Sequence, residues 1–435
     1  MEIIILAVFA LSLTLCVIFD VSILFALVFG YLLFFGYGLY RRHSPKVLLK
    51  KSLSGILTVK NILLTFILIG MITAVWRAGG TIPYIIYHAS GLCTPPVMLP
   101  LTFLLCCMMS VLTGTAFGTA ATVGVICAAM AHTMGIPVYL TGGAVLAGSF
   151  FGDRCSPMST SALLVSELTK TDIYTNIVGM VKTSVVPFVL SCAAYLGLGL
   201  MCGASENTAD VAGIFEANFN LTPIVLIPVA AIIILSLLRI NVKIAMSVSI
   251  VSGFVTTLLT QDIGFAELLR SALTGYNPTD SELAALLSGG GVTSMAKVFC
   301  IVCLSSCYSG IFRETGFLDG IRRHIDSMAT YLTPFGCVLC TSLVCGMVAC
   351  NQTLCIMLTD QLCGQLYPDK NERAIVFENT AVVVSPLIPW SIAAGVPLTS
   401  AGSSSLGIVF AVYLWVLPLW ELVRRAVRGV GGVKK

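Results

Sequence analysis

From Met1 to Tyr40 the chain carries only two charged side chains, Glu2 and Asp20, and no lysine or arginine occurs before Arg41. A helix crossing a bilayer needs about 20 mostly apolar residues, and runs of this kind recur to the C-terminus. Of 435 residues, 10% are charged and 57% hydrophobic, with a mean hydropathy of +0.98. An ordinary soluble domain has roughly 25% charged residues, so this chain cannot build the polar shell that a water-soluble globule of its length requires. High hydropathy also excludes disorder, and a net charge of +4 is too small and too dispersed for nucleic-acid binding. Residues 2–19 lack the basic stretch of a cleaved signal and read as a retained span.

The expected fold is an all-α multi-pass membrane protein. Apolar windows from 2–19 to 405–423 set an upper count of about fourteen spans and a working range of about 11–14. The seventeen cysteines include Cys300-x-x-Cys303 and Cys337-x-x-Cys340, but both pairs lie in apolar runs without histidine or acidic neighbours. They read as small residues at helix contacts, and so many thiols argue that little of the chain faces an oxidising space.

Lysine and arginine collect in cytoplasmic loops. Arg41, Arg42, Lys46, Lys50, Lys51 and Lys60 mark one cytoplasmic segment, and Arg424, Arg425, Arg428, Lys434 and Lys435 mark a cytoplasmic tail. Alternating sides from there puts 20 of the 24 basic residues inside, with Arg77, Arg270 and Lys297 outside and Arg154 within the membrane.

A weak repeat emerges when the chain is slid by roughly 235 residues. Residues 75–89 then lie over 311–325 and 110–122 over 345–357, and each half reaches a Ser-Pro in an apolar segment, Ser156-Pro157 and Ser385-Pro386. The lead-in 41–60 is basic, whereas 262–290 sets Arg270 against Asp262, Glu267, Asp280 and Glu282. Opposite charge bias implies opposite sidedness, the pattern of inverted-topology repeats in secondary transporters. The expected organisation is an N-terminal hairpin at 1–40, a first repeat at 41–200, a connecting hairpin at 201–261, a second repeat at 262–423 and a basic tail at 424–435.

Ionisable groups inside spans are costly and therefore informative. Asp153 and Arg154 sit among Gly148, Gly152, Ser156, Pro157, Ser159, Thr160 and Ser161, and Glu378 is followed by Asn379, Thr380, Ser385, Pro386 and Pro389. Each proline frees backbone groups in its helix. Carbonyls, hydroxyls and a carboxylate can replace the water around Na⁺, while half-helix N-termini can hold an anion. Two such breaks from opposite sides would form one site at the midplane. Gly114–Thr119 and Asn351-Gln352-Thr353 form a second matched pair, for which packing and cavity lining both stay open. Asp360 reads as a cavity acid or a helix-end group, His132 as a solvated loop residue, and Arg77 and Glu314 as interface anchors. No Walker motif, nucleophile elbow or haem-ligand pair occurs, so neither ATP-driven transport nor catalysis is expected.

At these residues the chain resembles a known family. Gly152-Asp153-Arg154-Cys155-Ser156-Pro157-Met158-Ser159 resembles the G-D-K-x-S-P-L-S-D-T-T stretch of NhaC-type sodium/proton antiporters, within the ion-transporter superfamily. Glu378-Asn379-Thr380 and Ser385-Pro386-Leu387-Ile388-Pro389-Trp390 resemble that family's L-E-D-S-G-T…S-P-L-I-P-W. The resemblance extends to GYNPTDSELAALLSGGGVTSM and the Gly316 turn. It implies a multi-pass protein of the cytoplasmic membrane with inverted repeats, exchanging Na⁺ for H⁺ by alternating access without a cofactor. Asp153 and Glu378 are then the retained acids and Na⁺ ligands, and Ser156, Ser159 and Ser385 the retained hydroxyls. Thr160, Asn351 and Asn379 stand where the family has aspartates. A site less negative at three positions better tolerates an anionic or zwitterionic solute, with Arg154 as its carboxylate partner. The alternative is therefore an Na⁺- or H⁺-coupled carrier of an amino acid or organic acid. Gln352, Thr353 and Thr380 complete the candidate shell, and monomer and homodimer both stay open.

Overall fold

The computed structural model describes residues 2–19, 21–58, 60–89, 94–202, 211–238, 240–317 and 332–427. Asp20, Arg239, Arg322 and Arg323, the last three counted among the 20 basic residues placed inside, and the tail beyond Val427 lie outside the described residues. The first part of the chain forms α1 (Glu2–Ile18), α2 (Ile23–Tyr40), α3 (Pro45–Thr58), α4 (Lys60–Ala78), α5 (Thr81–Ala89), α6 (Pro95–Thr113), α7 (Ala116–Thr119), α8 (Val125–Thr133), α9 (Val138–Cys155), α10 (Thr160–Thr169) and α11 (Ile173–Met201). Then come α12 (Val211–Asn218), α13 (Ile227–Leu237), α14 (Val242–Thr260), α15 (Phe265–Thr274), α16 (Ser281–Leu287) and α17 (Ala296–Thr315). The last part holds α18 (Pro334–Ala349), α19 (Gln352–Cys363), α20 (Lys370–Asn379), α21 (Ala381–Val384), α22 (Ile392–Ser400) and α23 (Val412–Val427). The described residues contain no β-strand, only one isolated bridge between Tyr276 and Gly289.

Among the described residues seven helices are long and apolar enough to cross a membrane, or nine if each of two bent pairs is one span. The lower count has a physical reason. The window 352–366 contains the 12-residue α19, which at 1.5 Å per residue is about 18 Å long against a hydrocarbon thickness of about 30 Å. The window 374–395 is broken, and its halves, Lys370–Leu387 and Ile392–Ser400, meet at 58°. Outward-facing apolar side chains, such as Val178, Val181, Val185 and Val189 on α11 and Val251 and Val255 on α14, suit a lipid environment.

From Leu140 to Cys155, α9 is buried at every residue but Phe151. Its small residues permit this. A Cβ on Gly148 would lie 2.6 Å from the Phe103 carbonyl oxygen of α6, and one on Gly152 would lie 2.3 Å from Ser110 Cβ, while on the other side one on Gly143 would lie 2.6 Å from the Phe410 backbone. Glycine lets helix backbones approach where no hydrophobic force drives them together. The basic segment 45–58, α3, packs along α17 by the same device: Gly55 faces the Ser306 carbonyl and Gly310 the Lys51 carbonyl. The N-terminal hairpin adds a cluster of Phe9, Phe34, Tyr308 and Phe312.

Local geometry also repeats. Gly80 and Gly316 both take positive φ after equivalent helices, and so do Gly114 and Cys350. Thr115 and Asn351 follow in extended conformation (φ −147° and −146°), each capping the next helix through its side-chain oxygen. All three pairs share one sequence offset, which fits the repeat read from the sequence. At the far end of α23, fully buried Glu421 accepts hydrogen bonds from Arg424 and Arg425, and Arg425 also reaches Glu372 of α20 at 2.7 Å. Of these two arginines, which the sequence marked only as cytoplasmic charge, Arg425 ties α23 to α20 and Arg424 holds Glu421 within α23.

Candidate functional site

The first break places Asp153. Pro157 biases the residue before it toward extended backbone, and Ser156 at φ −99°, ψ 134° ends α9. The chain turns, and Ser159 caps α10 by accepting from the backbone N–H groups of Ser161 and Ala162. That turn brings two hydroxyls back onto the end of α9: Ser159 Oγ donates to Asp153 Oδ1 at 3.0 Å and Ser161 Oγ to Oδ2 at 2.6 Å. Gln352, the first residue of α19, completes the set from the other half, with Nε2 donating to Asp153 Oδ2 at 3.2 Å and to the Val382 carbonyl at 3.1 Å. Asp153 is 5% exposed.

The second break places Glu378. α20 ends at Asn379, and Thr380 at φ −125°, ψ −86° leaves helical torsions before α21 resumes. Carbonyls in the last turn of a helix lack intrahelical donors, and Arg154 supplies one: its Nε donates to the Glu378 carbonyl at 3.0 Å. Nη2 donates to Thr183 Oγ1 at 2.9 Å and to Asn379 Oδ1. Nη1 donates to Ser184 Oγ at 2.5 Å, Tyr413 OH at 3.1 Å and the Met180 carbonyl at 3.3 Å. Arg154 is wholly buried, and its hydrogen bonds go to neutral oxygens and to the Cys155 sulfur. No ion pair joins it to Asp153 or Glu378 among the described residues; it points away from Asp153 because neighbouring positions on a helix lie about 100° apart.

The Glu378 side chain stands out against this saturation. It is 0% exposed, and among the described residues neither carboxyl oxygen has a hydrogen-bond partner, nor has Asn379 Nδ2. An unpartnered polar group in a dry interior costs free energy and is rare in folded proteins. Here an acid with free lone pairs sits at a helix break, and the backbone of that break is bound to the residue beside Asp153.

The other candidate residues divide. Asn351 caps α19, its Oδ1 accepting from the Leu354 N–H at 2.9 Å. Ser156 turns to the Val111 carbonyl of α6 at 2.7 Å and Thr380 to the Val376 carbonyl at 2.8 Å, so both serve the backbone of their breaks. Ser385 faces Ser391 at 3.4 Å across the 58° bend between Leu387 and Ile392. Thr160 and Thr353 lie exposed on the first turns of α10 and α19, outside the buried cluster. Asp360 lies 3.9 Å from Arg373. Ser161, Thr183, Ser184 and Tyr413 join the site through contacts with Asp153 or Arg154. Only Ser161 lay close enough in sequence to be noticed.

Chemically, the arrangement offers one carboxylate with rotatable hydroxyls on it and one carboxyl with no partner. Serine oxygens keep lone pairs for a hard cation once their hydrogens rotate away. The guanidinium that the sequence offered as a partner for a substrate carboxylate has its donors committed within the protein.

Comparison with known proteins points the same way. A model described as the Na⁺/H⁺ antiporter family matches residues 1–168 and 150–423. An arginine/ornithine antiporter, ArcD, of Halobacterium salinarum is 30% identical over 80% of this chain and 73% of its own. A malate-2H⁺/Na⁺-lactate antiporter of Bacillus subtilis is 28% identical over 89% and 86%, and an Na⁺/H⁺ antiporter, NhaC, of the same organism is 25% identical over 85% and 83%.

Proposed function

The chain belongs to the Na⁺/H⁺ antiporter family, and on that premise we propose that it exchanges Na⁺ for H⁺ by alternating access, with Asp153 and Glu378 as the ion-binding acids. The observation that carries this reading is the Glu378 carboxyl, fully buried and, among the described residues, without a hydrogen-bond partner at a helix break. Such a group can take or release a proton, or meet a cation, without breaking a bond within the protein. Asp153, with Ser159 and Ser161 on it, supplies oxygen ligands for Na⁺. The matched turns at Gly114–Thr115 and Cys350–Asn351 support two halves, 41–200 and 262–423, that act as inverted repeats around this site. The charge bias of 41–60 supports a cytoplasmic placement of that segment and of the C-terminal tail, in the cytoplasmic membrane.

Reconstitution in sealed vesicles with an internal pH reporter tests the reading. An Na⁺ pulse should move protons, and Asp153→Asn or Glu378→Gln should abolish the movement. A second reading, ion-coupled carriage of an amino or organic acid, draws support from the relatives named for arginine/ornithine and for malate and lactate. It replaces the first if Na⁺ alone moves no protons and an added amino or organic acid does.

A further inference from the structure

We infer that Arg154 is a positioning residue, a cap supplied by the first half of the protein that holds the helix break carrying Glu378. The inference rests on the reading of Glu378 as a transport acid. Where α20 ends, the Glu378 carbonyl loses its helical donor, and the Nε of Arg154 takes that place at 3.0 Å. One residue further on, the Asn379 side chain bonds Nη2 of the same guanidinium. A cation at a helix C-terminus is also favoured by the helix dipole.

The guanidinium is itself held from elements of both halves. Thr183 and Ser184 of α11 and Tyr413 of α23 receive its outer nitrogens, and Ser184 and Tyr413 lie 2.8 Å from each other. Arginine suits this task because its planar fork presents five donors in fixed directions, whereas a lysine ammonium places three on one atom. With every nitrogen engaged in the protein, Arg154 touches the transported ion only through the place it gives Glu378. Asn379 fits the same logic: its neutral oxygen accepts from Arg154 without neutralising it.

Two quantities test this in the full-length protein: the Na⁺-driven proton flux in vesicles, and the Na⁺ concentration that half-saturates thermal stabilisation in detergent. Arg154→Gln should lower the maximal flux by about 10-fold or more, since a misplacement of about 1 Å is worth up to about 100-fold. Arg154→Lys should recover part of that loss. Tyr413→Phe, which keeps the ring and removes one acceptor, should lower the flux by about 3-fold and keeps the test alive if Arg154→Gln does not fold. In a double-mutant cycle, Arg154→Gln on top of Glu378→Gln should change the half-saturating Na⁺ by less than about 2-fold beyond the larger single effect, as for residues acting as a unit. The inference is overturned if Arg154→Gln or Tyr413→Phe leaves both quantities at the wild-type level, or if the two single effects multiply. A failure of the underlying reading looks different: Glu378→Gln alone would then leave Na⁺-driven flux intact.

Discussion

Gly152→Ala is a single added methyl group next to Asp153, and the structure sets the size of its effect. The new Cβ would stand 2.3 Å from Ser110 Cβ, 2.4 Å from the Val111 nitrogen and 2.5 Å from the Ser110 carbonyl carbon. Two of these are backbone atoms of α6, so no side chain can swing aside, and ordinary contact requires the helices to part by about 1 Å. Overpacking of this kind costs about 1–3 kcal/mol. Parting the helices also stretches the 2.5 Å hydrogen bond from Ser110 Oγ to the Ser149 carbonyl. Because Asp153 is the next residue, a shift of about 1 Å reaches the site and should lower exchange by about 10- to 100-fold. Gly197→Ala on α11 is the matched control. Nothing lies within 4 Å of its Cβ position, so the gain in helix propensity should leave stability equal or up to about 1 kcal/mol higher. Thermal unfolding in detergent and Na⁺-driven proton flux in vesicles read both variants. If Gly152→Ala behaves like Gly197→Ala in both assays, the close α6–α9 contact does not set the geometry of the site.

Glu378→Gln should abolish Na⁺-driven proton flux while leaving the unfolding temperature without Na⁺ unchanged or higher, since the carboxyl has no bond to lose. Ser161→Ala should raise the half-saturating Na⁺ by about 3- to 10-fold, the worth of roughly one hydrogen-bonding group, and the exposed neighbour Thr160→Ala should not; equal effects would remove Ser161 from the ion shell. Arg425→Gln strips a buried partner from Glu421 and an ion pair from Glu372; since Arg424 stays on Glu421, the loss should be about 2–4 kcal/mol in detergent unfolding. Cysteines placed singly at Lys50 and Arg270 should react with a membrane-impermeant thiol reagent from opposite sides of sealed vesicles, and reaction from the same side would refute the inverted halves.

Much of this protein is legible in one dimension because a bilayer imposes a one-dimensional rule: about 20 apolar residues for each crossing. The helical class, the two lead-ins of opposite charge and the two Ser-Pro breaks follow from counting and spacing. The number of crossings does not, because a run of apolar residues reads the same whether it spans, bends or stops short. Thus 352–366 looked like a span and holds a helix of 12 residues, whereas the break expected in 374–395 is there, and only its angle of 58° could not be counted from the sequence. Ser159 was legible as a hydroxyl beside the Ser156-Pro157 break, but its part as the cap of α10, which turns it onto Asp153, came from the structure.

What the sequence determined by itself was which residues are expensive: Asp153, Arg154 and Glu378 are charged groups in apolar surroundings, and such groups persist only with a partner or a task. Only the tertiary structure decided which of them has the partner and which has the task. Arg154 and Asp153 are adjacent in the chain, yet they turn to different helices. Arg154 binds the backbone of Glu378, 224 residues away, and the side chains of Thr183, Ser184 and Tyr413. Asp153 collects two nearby serines and the distant Gln352, and Glu378 is left bare. No local pattern encodes that allocation, because a hydrogen bond is settled by where a donor lies in space, and here the donors come from helices that meet only once the halves have packed.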